Sequence, residues 1–233
     1  MKTTKKIKLS NPQEEQLQSQ PKQQQQQEKK TSSENLKKGN NLLYIACEKG
    51  DVKGVESLLS KLEGEIEEGF DVNEQDNEGR TPFFIACQRN DQSIVKILLS
   101  DSRIDINKRN HEEESPFFIA CKNGYLGIVK LVLCDARLDL NKQSKSKETP
   151  LSIACQKGNL EILKWILASR REINIKAVNI KGKNLFEEII NGNQSKDIKR
   201  IMKSYLEDPV QTVKELRKSL ALPSSFSLIY FIS

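Results

Sequence analysis

Four stretches of the chain share one order of apolar and polar positions: NLLYIACEKG (41–50), TPFFIACQRN (81–90), SPFFIACKNG (115–124) and TPLSIACQKG (149–158). In each, apolar residues recur at the helical period and then give way to polar ones. This predicts a short helix with one face inward, as with Phe83, Ala86 and Cys87. Thr81, Ser115 and Thr149 stand at the N-cap, followed by Pro82, Pro116 and Pro150 at the first helical position, where a missing N–H is harmless. Gly50, Gly124 and Gly158 predict a left-handed stop, and Asn90, the next-best residue there, serves the second unit. A second helix follows, with apolar stripes in SIVKILLS, GIVKLVLC and EILKWILA. Next comes an extended stretch, SRIDINKRN or ARLDLNKQS, whose alternation suits the arm of a hairpin-like loop.

Ala46, Ala86, Ala120 and Ala154 mark the register. The last three are 34 residues apart, and the first interval is 40 because KLEGEIEEGF (61–70) carries extra residues. A period in the thirties predicts a solenoid of stacked units. A fifth, degenerate copy begins at Asn184, with Ile189 in place of the small Ala and Ile190 in place of Cys. That change suits an end cap with no standard unit stacked beyond it. Asp208 and Pro209 read as the N-cap and first position of one more helix.

TPFFIA, SPFFIA and TPLSIA nearly spell the T-P-L-H-x-A signature, and over roughly residues 40–206 the chain resembles the ankyrin repeat. The resemblance implies an all-α solenoid of stacked antiparallel helix pairs with protruding hairpin loops, acting as a protein-binding scaffold. Two departures stand out. The fourth signature position is Tyr44, Phe84, Phe118 or Ser152 and never His, so aromatic packing is expected to replace the family's histidine hydrogen bonds. The glycine expected before the next unit survives as Gly79 and Gly182, while Glu113 and Lys147 occupy the other two sites. The expected organisation is a disordered Lys/Gln-rich tail over 1–38 and a repeat domain over 39–206. Its units lie near 40–80, 81–114, 115–148, 149–183 and 184–206. A C-terminal helix over 207–222 and an apolar tail over 223–233 complete the chain.

Charge changes the picture little. The net charge is +6, but residues 1–40 hold nine Lys against four Glu, which leaves the body near neutral. A neutral body lacks the electrostatic footprint of a nucleic-acid face, so nucleic acid is disfavoured as a partner. The tail has almost nothing to bury and is expected to be disordered. The start of the chain lacks the apolar region of a secretory signal, and no apolar run reaches the roughly 18–20 residues of a membrane span. With five cysteines, an odd number, these features point to a reducing compartment: the cytoplasm, with the nucleus as the alternative.

Candidate chemistry is sparse. Cys47, Cys87, Cys121 and Cys155 recur in register, on helices stacked about 8–10 Å apart. That is too wide for a disulfide or a shared zinc ion, so they are expected to be buried packing residues. Cys134, at the end of a second helix, is expected to be partly exposed. The single histidine, His111, lies in the loop KRNHEEES and is expected to be solvated. Trp165 falls on the apolar stripe of its helix beside Ile162 and Ile166, as core or groove lining. No Gly-rich phosphate loop, G-x-S-x-G or Cys-x-x-Cys is present, so no enzyme activity, cofactor or metal is expected. The apolar SFSLIYFIS (225–233) could pack back or engage a partner.

The hairpins NEQDNEG, NKRNHEE, NKQSKSK and KAVNIKG run from acidic through mixed to basic. Divergent tips on a repeated core suit recognition of one extended, charge-patterned protein partner on the tips and concave face. Arg109, His111, Glu112, Gln143 and Lys145 at the tips, with Gln88, Arg89, Lys122 and Asn123 at the ends of the first helices, form the expected contact face. The expected role is a monomeric, non-catalytic scaffold or adaptor. The alternatives are a nucleic-acid accessory protein acting through the tail and a regulatory fragment of a larger signalling enzyme or channel.

Overall fold

Each Thr/Ser-Pro pair opens a helix for a local reason. A hydroxyl satisfies one of the free amides of the first turn, and proline supplies the next residue without an N–H to waste. A computed structural model of the chain describes residues 42–64 and 71–223. Thr81 Oγ1 accepts from Phe84 N at 3.1 Å, Ser115 Oγ from Phe118 N at 3.1 Å and Thr149 Oγ1 from Ser152 N at 3.2 Å. All three caps are buried, so their hydrogen bonds replace water that cannot reach the amides.

The first helices of the units are α1 (42–49), α3 (Pro82–Gln88), α5 (Pro116–Asn123), α7 (Pro150–Gln156) and α9 (Leu185–Asn191). The second helices are α2 (Val52–Gly64), α4 (Gln92–Ser100), α6 (Leu126–Leu133), α8 (Leu160–Ala168) and α10 (Lys196–Glu207). Helices α3, α5, α7 and α9 stack in one row, and α2, α4, α6, α8 and α10 in another. Between the rows lies one continuous core in which Phe83, Phe117, Ala86, Ala120 and Ala154 are fully enclosed. Among the described residues every regular element is a helix, and the single β interaction is an isolated bridge between Val178 and Asn184.

Gly50, Gly124, Gly158 and Asn90 all turn the chain with positive φ, between 60° and 78°, so helix pairs reverse where the sequence predicts. At the fourth signature position the expectation of aromatic packing holds for Phe84 and Phe118, which are buried. At the other two positions, Tyr44 (which also packs against the core) and Ser152, the side chain makes a hydrogen bond. The Tyr44 hydroxyl donates to Asp76 Oδ2 at 2.8 Å, and Ser152 Oγ accepts from Thr149 N at 2.8 Å to close a capping box. A polar side chain here bonds its own helix cap, as Ser152 does, or a carboxylate of the hairpin that follows, as Tyr44 does.

The C-terminal end is built differently. Asn184 and Glu187 form a reciprocal cap for α9, and Ile189 is buried where the earlier units carry Ala. Asp208 ends α10 and caps α11 (Pro209–Ser219), accepting from Gln211 N at 2.9 Å. Helix α11 lies against α8 and α10. It carries Arg217, almost wholly buried, whose guanidinium donates to Ala168 O at 2.8 Å and to Pro223 O at 3.0 Å. Burial, and then the nearby Arg170, push the Arg217 pKa down from its ordinary value. Trp165 is core, with the Lys130 ammonium 4.5 Å from its ring centroid. The tail over 1–38 and the terminal SFSLIYFIS lie outside the described residues, as does the side chain of Ile190.

Candidate partner-binding face

The loops between units fold as hairpin tips with one shared geometry. Asp76 N donates to Arg80 O at 3.0 Å, and Gly79 N returns to Asp76 O at 2.9 Å. The same pair of bonds recurs at Asn110–Glu114, Ser144–Glu148 and Asn179–Lys183. The first side chain of each tip also accepts from the tip's own amides, as Asn110 Oδ1 does from Glu112 N at 3.1 Å and Glu114 N at 2.8 Å. The fourth residue of each tip has positive φ: Gly79 at 76°, Gly182 at 70°, and Glu113 and Lys147 both at 57°. Glu113 and Lys147 therefore hold a conformation that favours glycine, imposed by a turn closed on both sides.

Four ladders join one unit to the next. The first is backbone: His111 N donates to Glu78 O at 2.9 Å, Lys145 N to Glu112 O at 2.9 Å and Ile180 N to Ser146 O at 3.3 Å. The second is a row of asparagines. Asn73 Nδ2 donates to Arg103 O at 2.8 Å while its Oδ1 accepts from Asp105 N at 2.7 Å. Asn107 does the same to Arg137 O and Asp139 N, and Asn141 to Glu172 O and Asn174 N. In the third, Gln75 reaches Arg109 O at 2.9 Å, Arg109 reaches Gln143 O at 3.2 Å and Gln143 reaches Val178 O at 3.4 Å.

The fourth ladder is arginine. Arg137 ion-pairs with Asp135 at 2.7 Å and donates to Leu99 O and Asp101 O at the end of α4 and to Ile104 O in the loop after it. Arg171 likewise caps Asp135 O and Ala136 O of the unit before it, but Ser169 stands where its own carboxylate partner would be. The pKa values follow: hydrogen bonding to Asp135 raises Arg137, whereas burial lowers Arg171. Both the asparagines and the arginines recur at 34 residues in the sequence, a signal of cross-unit clamps that hydrophobic periodicity does not carry.

These bonds sort the expected contact residues. His111, Glu112, Lys145, Arg89 and Asn123 are exposed. Lys145 Nζ lies 3.6 Å from Glu112 Oε1, a pair open to solvent on both sides. Arg109 and Gln143 are not free tip residues: their side chains hold the next tip's carbonyls. Lys122 is bound to Glu114 at 2.8 Å. Gln88 is half-buried at the end of α3.

At the N-terminal end Tyr44, Asp76 and Arg80 form a closed network. Asp76 Oδ2 accepts from the Tyr44 hydroxyl at 2.8 Å and from Arg80 Nε at 2.8 Å. Burial alone would raise the Asp76 carboxyl, but hydrogen bonds from the Arg80 side chain and backbone and from Tyr44 outweigh it and hold the pKa at about 2. Burial and the same carboxylate push the Tyr44 hydroxyl up.

Cys47, Cys87, Cys121 and Cys155 are buried and Cys134 is half-buried, its Sγ donating to Lys130 O at 3.2 Å. Burial raises every one of these thiols, Cys47 and Cys155 to about 12, so none is poised as a nucleophile near neutral pH. Among the described residues no three His, Cys, Asp or Glu side chains are grouped to hold a metal ion. No helix there is long and apolar enough to cross a membrane.

The family model for ankyrin repeats (3 copies) matches the sequence twice, over residues 15–110 and 102–179. The first match reaches back into the segment read as a tail, and the second stops before the fifth unit. No curated protein matches the chain. Two family matches over most of the sequence, and a double row of helix pairs joined by stacked hairpins, place the chain in the ankyrin repeat family.

Proposed function

We propose that this chain is a non-catalytic scaffold or adaptor that binds a partner protein along its hairpin tips and the adjoining ends of α3 and α5. Ankyrin repeats are protein-interaction modules, which supports the class. The observation that carries the reading to this face is a charge gradient on a rigidly laddered row. The windows 71–80, 105–114, 139–148 and 174–183 carry net charges of −3, −2, +1 and +3. Since the ladders bind backbone and leave His111, Glu112 and Lys145 exposed, these side chains add little to the fold and are available to a charge-patterned partner.

The test compares the full chain with a variant in which Arg89, His111, Glu112, Asn123 and Lys145 are all Ala. Proteins captured by the unaltered chain are identified and titrated against both by calorimetry, beside a thermal melt. At least tenfold weaker binding with an unchanged melt is expected. Equal binding by the folded variant overturns the assignment to this face.

A further inference from the structure

The hairpin row ends abruptly at its fourth tip, and the ladders end with it. In the three earlier tips Glu78 O, Glu112 O and Ser146 O each receive an amide from the following unit. The equivalent carbonyl of the last tip, Lys181 O, receives none among the described residues. Asn73, Asn107 and Asn141 each donate Nδ2 to the next loop; Asn174, which follows them in the ladder, has no such acceptor among the described residues. An edge of unmet donors and acceptors is a template for one more extended segment.

A last rung facing only water would be polar, as the outer faces of terminal repeats are. This one is not. Where earlier tips carry Gln75, Arg109 and Gln143, the fourth has Val178, and where they carry Asn77, His111 and Lys145 it has Ile180. Val178 is 45% and Ile180 65% exposed, and Lys176, Lys181 and Lys183 flank them in the sequence, all exposed. Two exposed aliphatic side chains in a stretch that carries three exposed lysines are the complement of a segment bearing aliphatic and acidic residues.

We infer that the outer edge of the fourth hairpin, residues 174–183, docks an extended segment of the partner in which aliphatic and acidic side chains alternate. Its backbone amide meets Lys181 O, and its carbonyl meets Asn174 Nδ2, continuing the ladders by one rung. Alternation is required because side chains on an extended chain face opposite ways at successive residues. Every second one can then cover Val178 or Ile180 while those between reach the lysines. The inference rests on the reading of the hairpin row as the binding face and names the chemistry of the partner at one end of it.

The probe is a fluorescein-labelled peptide of alternating Glu and Val, titrated by anisotropy against the full chain. Saturable binding is expected, weakened at least tenfold by Val178→Gln with Ile180→Lys, the residues the third tip carries, while the melt is unchanged. A Lys–Val peptide, and a Glu–Val peptide whose valine amides are methylated, are expected to bind at least tenfold more weakly than the probe. Absence of saturable binding, equal binding by the substituted chain, or equal binding of either control peptide overturns the inference. The captured native partner separates the two readings. If the substitutions at Arg89, His111, Glu112, Asn123 and Lys145 weaken it but those at Val178 and Ile180 do not, the scaffold reading stands and this inference falls. If the peptide result holds while those five substitutions leave the native partner untouched, the docking edge stands and the wider face falls.

Discussion

The side chain of Asn107 is bonded at both of its polar ends to the following unit, accepting from Asp139 N at 2.8 Å and donating to Arg137 O at 2.7 Å. No other amino acid of that length offers a donor and an acceptor in one plane, so Asp and Ala fail for different reasons. Asn107→Ala leaves both backbone groups unmet in a partly covered loop and is expected to cost about 1–2 kcal/mol in urea unfolding. Asn107→Asp keeps the acceptor but turns a charged oxygen toward Arg137 O, and is expected to lose at least as much. A loss below 0.3 kcal/mol for both would show that water replaces the clamp.

The four left-handed tip positions give a matched set. Gly182→Ala meets nothing within 4 Å and is expected to lose only the backbone preference, about 1 kcal/mol. Gly79→Ala adds a Cβ 2.7 Å from His111 N, so the first and second tips must separate, and a loss of about 2 kcal/mol or more is expected. Lys147→Gly relieves a residue held at φ 57° and is expected to stabilise by up to about 1 kcal/mol. The order Gly79→Ala, Gly182→Ala, Lys147→Gly in melting temperature is the readout; a Lys147→Gly variant less stable than the unaltered chain contradicts it.

Thiol accessibility follows depth. With a disulfide reagent at pH 8, Cys134 is expected to react first in the folded protein, and Cys47, Cys87, Cys121 and Cys155 only on unfolding. Cys121→Ser places an extra polar group in a closed core and is expected to cost roughly 1–3 kcal/mol. Rapid native-state labelling of Cys121 would mean that α5 opens locally.

Acid sensitivity is expected at the first tip. The folded pKa of Asp76 lies below the unfolded value of 3.8, so its contribution is complete above about pH 4 and is lost as pH falls toward 2. About 1–2 kcal/mol is at stake, given that the carboxylate is mostly covered by Arg80 and Tyr44. Asp76→Asn is expected to flatten stability against pH between 4 and 2. An unchanged acid limb in that variant would place the titration elsewhere.

The double row of helices was legible because it rests on local chemistry: a hydroxyl at 81, 115 and 149, a proline after it, a glycine or Asn90 nine residues on. The buried cysteines followed from register alone. The tips were legible as hairpins, but not the side-chain clamps between them. Arg109 and Gln143 look like ordinary polar loop residues until the next unit's carbonyls are placed beside them. Likewise Tyr44 reads as a packing aromatic, and only the approach of Asp76, 32 residues on, gives its hydroxyl a partner. Contacts between elements depend on how units rotate against one another, which no pattern within a unit encodes.

The asparagine clamps bind main-chain atoms, never the side chains of the unit they hold. Such a fastener is indifferent to what its neighbour spells. A unit copied, deleted or exchanged by recombination would find the same grip waiting on either side, whatever letters its tip carried. The chain is thus open to change in length and in recognised partner by whole modules, with the joint already provided.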